Sequence, residues 1–309
     1  MANLKDLSMK PTPFTSGHRA CVGCGIPIVI KQILLASDAP VVVSSATGCL
    51  EVTSTIYPYT AWNVPFIHSA FENSAATISG AEATFKSFKR QGKIPADTKI
   101  NFVGFGGDGG SYDIGFQSLS GAMERGHDML YVCYNNQAYM NTGIQRSSAT
   151  PKGAHTTTRP EGRLSAGKVH FSKNLTECMI AHNLVYVGQA CVSFWNDTIT
   201  KAQKAFSIEG PKFMNVFQPC QLGWGFSPAD TVEIGKLAVE TCFWPVYEYV
   251  NDEYKLTYKP KEKKPIVEFM KLQARYKHLF KPENKHVIDE IQVEVDRRWN
   301  RLLKLCNVS

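Results

Sequence analysis

Short apolar runs alternate with amphipathic segments over roughly residues 17–242 of this 309-residue chain. Five of the runs are apolar on both faces, which is typical of strands in a parallel sheet that helices cover on both sides. They span residues 41–45, 100–105, 129–134, 185–190 and 213–218. Segments with helical periodicity fall between them. The pattern therefore predicts an α/β fold with a doubly wound, mostly parallel sheet.

The alternation stops in the last part of the chain. Residues 243–309 are charged and contain two helix-like segments, 266–280 and 287–306. We expect one ligand-binding domain over residues 1–242, with a cysteine knuckle near its N-terminus. The charged, helical segment that follows is interpreted as a C-terminal extension that contacts other subunits.

Composition and charge exclude several classes of protein. Hydrophobic residues make up 43% of the chain and charged residues 20%, which is ordinary for a globular protein. No apolar run approaches the roughly 20 residues that span a bilayer, and the N-terminus lacks the apolar region of a secretory signal. We therefore expect a cytoplasmic protein without a membrane segment. The net charge is +7, but aromatic residues do not interleave with the lysine-rich segment 255–264, so a nucleic-acid partner is not expected.

Residues that could bind a ligand or take part in a reaction are concentrated between Gly104 and Asn141. The second predicted strand runs into the sequence GFGGDGG, whose glycines allow a bulky anion to approach the backbone. The third strand ends in two amides, Asn135 and Asn136. Together with Asp108, these amides offer the hard oxygen ligands that suit Mg²⁺ held against phosphate. The stretch predicts a site for a metal-bound diphosphate.

A dinucleotide site is the main alternative, because three glycines of this loop also satisfy the G-x-G-x-x-G pattern. That pattern requires an acid at the end of the next strand to bind the ribose, and this strand ends in amides. Asp108 inside the loop would also repel a bare pyrophosphate. Both objections disappear if Mg²⁺ lies between protein and diphosphate, so we favour a metal-bridged site over NAD. A glycine-rich turn capped by the aspartate is the purely structural alternative.

Four of the nine cysteines are placed where they could bind a metal. Cys21 and Cys24 form a C-x-x-C, while Cys49 and Cys220 follow predicted strands and should lie at the same sheet edge as Asp108. Structural zinc usually uses two such knuckles, whereas one knuckle with two distant cysteines also serves a 4Fe–4S cluster. The spacing favours the cluster and leaves zinc open. The other five cysteines are interpreted as small buried hydrophobes, and His68 as a packed histidine rather than a ligand.

Several sequence pieces together resemble the β subunit of 2-oxoacid:ferredoxin oxidoreductases of the pyruvate type. The pieces are CVGCG, ATGC, GGDGGSYDIG, AYMNTGIQRSS, QPC and the late LTYKPKEKKPIVEFMKLQARYKHL, so the resemblance covers nearly the whole chain. It implies that the diphosphate is thiamine diphosphate, bound through the motif Gly107-Asp108-Gly109 with Asn135-Asn136. One departure is that family members often carry an acid where this chain has Asn135 or Gln137.

The resemblance also implies a role for individual residues. Asp108, Asn136 and the backbone carbonyl of Ala138 would bind Mg²⁺. Cys21, Cys24, Cys49 and Cys220 would hold the one 4Fe–4S cluster nearest the thiamine. Asn141 would be the catalytic residue near the reactive ring and the substrate, and Thr47 a further cofactor-binding residue.

The implied reaction is the oxidative decarboxylation of a 2-oxoacid, with pyruvate and CoA as the first choice and ferredoxin as the electron acceptor. The carboxylate that activates the thiamine pyrimidine ring is supplied by the α subunit in this family, and nothing in this chain replaces it. We therefore expect a hetero-oligomer with α, γ and ferredoxin-like δ subunits. Oxalate, which needs no CoA, and branched-chain 2-oxoacids remain alternative substrates. A non-redox thiamine enzyme and a zinc-stabilised scaffold subunit are the alternatives from other classes.

Overall fold

The structure, a computed structural model, describes residues 3–163 and 165–308. Its strands are β1 (Val41–Ala46), β2 (Phe66–Ser69), β3 (Asn101–Gly107), β4 (Met129–Asn135), β5 (Glu161–Gly162), β6 (Ser165–Ala166), β7 (Tyr186–Cys191), β8 (Pro211–Phe217), β9 (Tyr247–Val250) and β10 (Glu253–Leu256).

Helices connect most of these strands. The α-helices are α1 (Leu4–Met9), α2 (Ile26–Leu35), α3 (Cys49–Ser54), α4 (Ser74–Arg90), α5 (Phe116–Glu124), α6 (Leu175–Ile180), α7 (Trp195–Ser207), α8 (Gln221–Trp224), α9 (Thr231–Glu240), α10 (Ile266–Met270) and α11 (Lys285–Leu305). A π-helix spans Gly109–Ile114, and 3₁₀-helices span Pro228–Asp230, Ala274–Phe280 and Pro282–Asn284.

Eight of the strands form one sheet in the order β10-β9-β7-β8-β4-β3-β1-β2. The six strands from β7 to β2 are mutually parallel, and β9 and β10 extend the sheet in antiparallel pairs. The predicted doubly wound, mostly parallel sheet is confirmed. In the register of the sheet, Gly107 pairs with Tyr134 and Asn135 with Phe217, so the carboxyl ends of β3, β4 and β8 lie side by side.

Both faces of the sheet are covered, which explains the uninterrupted apolar runs of its strands. Along β4, Leu130 and Val132 pack into the core beneath α2 and α7, and Tyr131 and Cys133 pack into the core beneath α4 and α5. All seven residues of β4 are buried. A strand with two buried faces has no polar alternation, so its sequence reads as one hydrophobic block.

The five strands predicted from the sequence are present, with ends shifted by one or two residues. Strands β2, β9 and β10 were not predicted. β2 is a four-residue edge strand with mixed exposure, and its sequence carries no clear period. Here His68 is exposed and its Nε2 lies 2.8 Å from Thr47 Oγ1, so the prediction of a packed histidine was wrong.

One helix prediction near the C-terminus also needs correction. Residues 266–280 form α10 and then a 3₁₀-helix, because the amide of Ala274 donates to the carbonyl of Gly225 instead of continuing the helix. Long-range pairing therefore decides the conformation of this segment.

The C-terminal extension is joined to the rest of the chain through a third hydrophobic core. Phe269 and Trp299 from the extension pack there with Phe217 and Trp224 from the preceding part. The boundary at residues 242 and 243, and the role of the extension in subunit contacts, stay predictions. Within the described residues, every helix is too short or too polar to cross a membrane.

The third core makes a quantitative prediction about stability. Phe269 is fully buried, so Phe269→Ala should lower the free energy of unfolding by about 3–5 kcal/mol, through lost burial and an unfilled cavity. Phe280 is 43% exposed, and Phe280→Ala should cost about 0.5 kcal/mol. Urea unfolding of the purified chain, followed by circular dichroism, measures both values. Equal small losses would contradict the packing of the extension onto the sheet.

Candidate cofactor and metal site

A pocket of about 60 Å³ opens at the carboxyl ends of β1, β3 and β4. Its wall includes seven of the residues that the sequence singled out: Thr47, Cys49, Gly107, Gly109, Asn136, Ala138 and Asn141. Asp108 lies between two of these residues in sequence and is only 1% exposed. The parallel register thus brings segments that are about ninety residues apart in the sequence to one place.

The glycine loop leaves β3 and turns directly into the π-helix, a rare conformation that is often found at functional sites. A Cβ atom on Gly109 would lie 2.4 Å from the ring of Tyr139, so a larger residue does not fit there. The Tyr139 hydroxyl in turn donates to the carbonyl of Gly109 at 3.2 Å. This contact fixes the loop after β3 against the loop after β4.

Three oxygens meet beside this pocket. The Asn136 side-chain oxygen lies 2.8 Å from the carbonyl oxygen of Ala138 and 2.9 Å from Asp108 Oδ1. Adjacent ligands of an octahedral Mg²⁺ at its usual bond length are about 2.9 Å apart, so the Asn136 oxygen is spaced from each of the other two as a neighbouring ligand of one ion. With the amide rotated by half a turn, its nitrogen would donate to the same two oxygens. Either a cation or an amide proton satisfies this group, and the donor set fits Mg²⁺.

Hydrogen bonds hold the Asp108 carboxylate in position. The Ser147 hydroxyl donates to Oδ2 at 2.5 Å, and the backbone amide of Asn136 donates to Oδ1 at 3.1 Å. Burial nevertheless raises the pKa of Asp108 to about 7, against the effect of these two bonds. A divalent cation beside the carboxylate would favour its charged form.

Hydrogen bonds from buried side chains fix the loop that carries Ser147. The buried Lys168 ammonium donates to the carbonyl oxygens of Ser147, Ser148 and Thr150. The Thr150 hydroxyl accepts from the backbone amide of Ser147 at 3.0 Å and donates to the carbonyl of Gln137 at 2.7 Å. The position of Asp108 thus depends on a loop about forty residues later in the chain.

The turn after β4 has a strained backbone. Gln137 is not a glycine yet has a φ of 66°, a conformation that persists at functional sites when neighbouring groups hold it. Its amide donates to Asn135 Oδ1 at 3.0 Å, and its side chain is buried. The turn directs the chain so that Ala138 and then Asn141, which is exposed, line the pocket.

The four candidate cysteines lie on three elements at the same edge. Cys21 and Cys24 form a turn before α2, with the amide of Cys24 donating to the carbonyl of Cys21 at 3.0 Å. Cys49 begins α3, directly after β1, and Cys220 immediately precedes α8. Burial, and to a smaller extent the neighbouring thiols of this group, raise the pKa of Cys24 and of Cys49 to about 12. The four thiols are therefore close enough to interact electrostatically.

Backbone amides point at two of these sulfurs. The amides of Leu222 and Gly223 bond Cys220, and the amide of Ile26 bonds Cys24, which partly offsets the increase of both pKa values by burial. The turn that carries Cys21 and Cys24 packs closely against Pro228. Gly23, at a φ of 76°, has no room for a Cβ there, because this atom would lie 2.5 Å from the carbonyl oxygen of Pro228. Such amide–sulfur bonds set the potential of iron–sulfur clusters.

Among residues 3–163 and 165–308, no three His, Cys, Asp or Glu side chains are arranged to hold a single metal ion. The choice between zinc and a cluster for the four thiols stays a prediction. Of the other cysteines, Cys133, Cys191 and Cys242 are buried as predicted, whereas Cys178 and Cys306 are only half-buried.

Sequence reasoning missed several residues around the site. The Trp224 indole donates to the carbonyl of Asn136 at 2.9 Å, and the Arg275 guanidinium lies 3.7 Å above the centre of that ring system. Ser147 belongs to the quoted motif AYMNTGIQRSS, but no role had been assigned to it. Trp224 and Arg275 reach the site from distant parts of the chain, and no local pattern indicates such contacts.

Comparison with known proteins identifies the family of this chain. The family model "Thiamine pyrophosphate enzyme, C-terminal TPP binding domain" matches residues 46–216. The pyruvate synthase subunit PorB of Thermotoga maritima is 50% identical over 99% of this chain and 97% of its own length. The same subunit of Methanocaldococcus jannaschii is 53% identical over 94% of this chain and 96% of its own.

More distant relatives extend the comparison. The ketoisovalerate oxidoreductase subunit VorB of Pyrococcus abyssi is 42% identical over 96% of this chain and 94% of its own length. A solved 2-oxoglutarate:ferredoxin oxidoreductase from Magnetococcus marinus superposes with a TM-score of 0.57 at 23% identity, covering 74% of this chain and 73% of that chain. At this identity the likeness concerns the fold alone.

The thiamine pyrophosphate domain covers more than half of the chain, and the match to the PorB subunits runs over nearly all of it. The chain therefore belongs to the 2-oxoacid:ferredoxin oxidoreductase family, as a β-type subunit with a thiamine pyrophosphate-binding domain.

Proposed function

We propose that this chain binds thiamine diphosphate, Mg²⁺ and one 4Fe–4S cluster in an enzyme that oxidatively decarboxylates pyruvate, with CoA as acyl acceptor and ferredoxin as electron acceptor. The proposal rests on the Asn136 side-chain oxygen, which is spaced from Asp108 Oδ1 and from the Ala138 carbonyl oxygen as a neighbouring ligand of one ion. Pyruvate is favoured because the pyruvate synthase subunits named above are 50% and 53% identical, against 42% for the ketoisovalerate subunit.

Each part of the site has a separate task. Asp108, Asn136 and the carbonyl of Ala138 would hold Mg²⁺, which neutralises the diphosphate at the glycine loop. Thr47 and Asn141 on the pocket wall would contact the cofactor and the substrate. Bound thiamine diphosphate supplies the electron sink that decarboxylation of a 2-oxoacid requires. Cys21, Cys24, Cys49 and Cys220 would hold the cluster that accepts the electrons.

The proposed partners follow from a group that this pocket does not supply. Among the described residues that line the pocket, none carries a carboxylate. The carboxylate that activates the pyrimidine ring would come from an α-type subunit at an interface. Subunits of γ and δ type would complete the complex, the last carrying electrons to ferredoxin.

The metal site is tested by Asp108→Asn, which removes the negative charge without changing the size of the side chain. Binding of thiamine diphosphate in the presence of Mg²⁺ should weaken by more than about tenfold, because two amides and a carbonyl hold a divalent cation less well. Titration calorimetry of the assembled complex measures the affinity. The control Asp38→Asn makes the same change at an exposed side chain and should bind normally. Unchanged affinity in Asp108→Asn would contradict the assignment.

The cluster is tested by alanine substitutions of the four cysteines, one at a time. Each variant should lose the cluster of about four irons that the chain otherwise binds, because each thiolate ligates one iron. Iron and zinc analysis after anaerobic purification measures the outcome. Cys178→Ala replaces a half-buried thiol outside the group and should retain its iron. Zinc without iron in the unmodified chain would refute the proposal and support the scaffold alternative.

The substrate is tested in the assembled complex by comparing 2-oxoacids with and without CoA. The value of kcat/KM for pyruvate should exceed that for a branched-chain 2-oxoacid by about tenfold or more, since extra methyl groups must fit a pocket shaped for a small one. The reduction of ferredoxin should require CoA. Faster turnover of oxalate, independent of CoA, would overturn the assignment of pyruvate.

A further inference from the structure

Arg275 is a charged side chain in the interior of the molecule, with 5% of its surface exposed. Its Nη2 donates to Gln137 Oε1 at 2.7 Å, and its Nε donates to Gln273 Oε1 at 2.8 Å. Both partners are neutral amides, so neither hydrogen bond compensates the positive charge. The rings of Trp224 and Tyr276 lie 3.7 and 4.9 Å from the guanidinium carbon and provide the remaining stabilisation.

The position of Arg275 is fixed on both sides. Its carbonyl accepts from the amide of His155 at 3.0 Å, and the preceding residue, Ala274, donates to Gly225 at 3.1 Å. The backbone therefore places the guanidinium against Trp224 independently of its side-chain contacts.

Arg275 is linked to both candidate sites through Trp224. Trp224, on which it stacks, ends the short helix that begins directly after Cys220, and its indole donates to Asn136. Burial lowers the pKa of Arg275 to about 10, and the groups that act in the opposite direction include Cys220 and Asp108. In return, the charge of Arg275 lowers the pKa of Cys220, against the larger effect of burial.

We propose that Arg275 raises the reduction potential of the cluster held by Cys21, Cys24, Cys49 and Cys220, through a buried positive charge that donates its hydrogen bonds to the neutral amides of Gln137 and Gln273. The inference rests on the proposed function. Reduction adds one electron, supplied by the 2-oxoacid, to the cluster. A fixed positive charge stabilises the added negative charge, and the burial of Arg275 limits screening by solvent. Gln137 and Gln273 orient the guanidinium without reducing its charge.

Two variants change the charge in different ways. Arg275→Gln removes it, and Gln137→Glu places a carboxylate within hydrogen-bond reach of Nη2 and neutralises it. Both should make the cluster harder to reduce, by about tenfold in the equilibrium constant, which is about 59 mV for a one-electron couple. Arg275→Lys keeps the charge while losing the planar stacking, and its potential should stay near that of the unmodified complex.

The measurement is a redox titration of the assembled complex, followed by electron paramagnetic resonance under anaerobic conditions. The signal of this cluster is identified as the one that disappears in Cys49→Ala. A purely structural role predicts a different pattern, in which Arg275→Lys shifts the potential as much as Arg275→Gln and Gln137→Glu leaves it unchanged. If Arg275→Gln fails to fold, the result for Gln137→Glu decides.

The two proposals fail in distinguishable ways. A complex that binds zinc and shows no signal dependent on Cys49 would refute the proposed cluster and this inference with it. A cluster that is present, with less than a twofold change in the equilibrium constant for Gln137→Glu, would overturn the role of Arg275 alone.

Discussion

The site depends on one physical constraint, which is the burial of the Asp108 carboxylate. A charged group that is 1% exposed is costly unless hydrogen bonds or a cation compensate it. The compensation comes from Ser147 and from the backbone of Asn136, and these donors lie on two different loops. Lys168 holds the first loop through three carbonyls. The position of one acid therefore determines how the polar interior around it is arranged.

The same constraint connects the diphosphate site to the cysteines. The Asn136 amide and the Ala138 carbonyl are fixed by the turn after β4, and the indole of Trp224 donates to the carbonyl of Asn136. Trp224 belongs to the four-residue helix that begins after Cys220. Any movement of the turn after β4 would therefore displace the helix that follows Cys220. Under the proposed function, this link would keep the diphosphate and the four thiols at a constant separation.

Strands and site residues could be predicted from the sequence where a local pattern indicates them. The five inner strands could be predicted because burial on both faces leaves uninterrupted apolar runs, as in β4. Asp108 and Asn136 could be found because each follows such a strand directly, and strand ends share one edge of a parallel sheet. The edge strand β2 could not be predicted, since its partial exposure leaves no continuous apolar run. The exposure of His68, which lies on this strand, was therefore predicted wrongly.

The local sequence pattern does not indicate contacts between distant segments of the chain. The helix expected over residues 266–280 is interrupted because Ala274 bonds Gly225, about fifty residues earlier. This interruption places Arg275 on Trp224. The break in the predicted helix therefore also positions a side chain beside the site. Gln137 then joins the two sites. Its left-handed backbone presents Ala138 to the pocket, and its side chain binds the arginine near Cys220. A residue that sets both the turn after β4 and the orientation of a buried charge can be replaced only by one that satisfies both requirements.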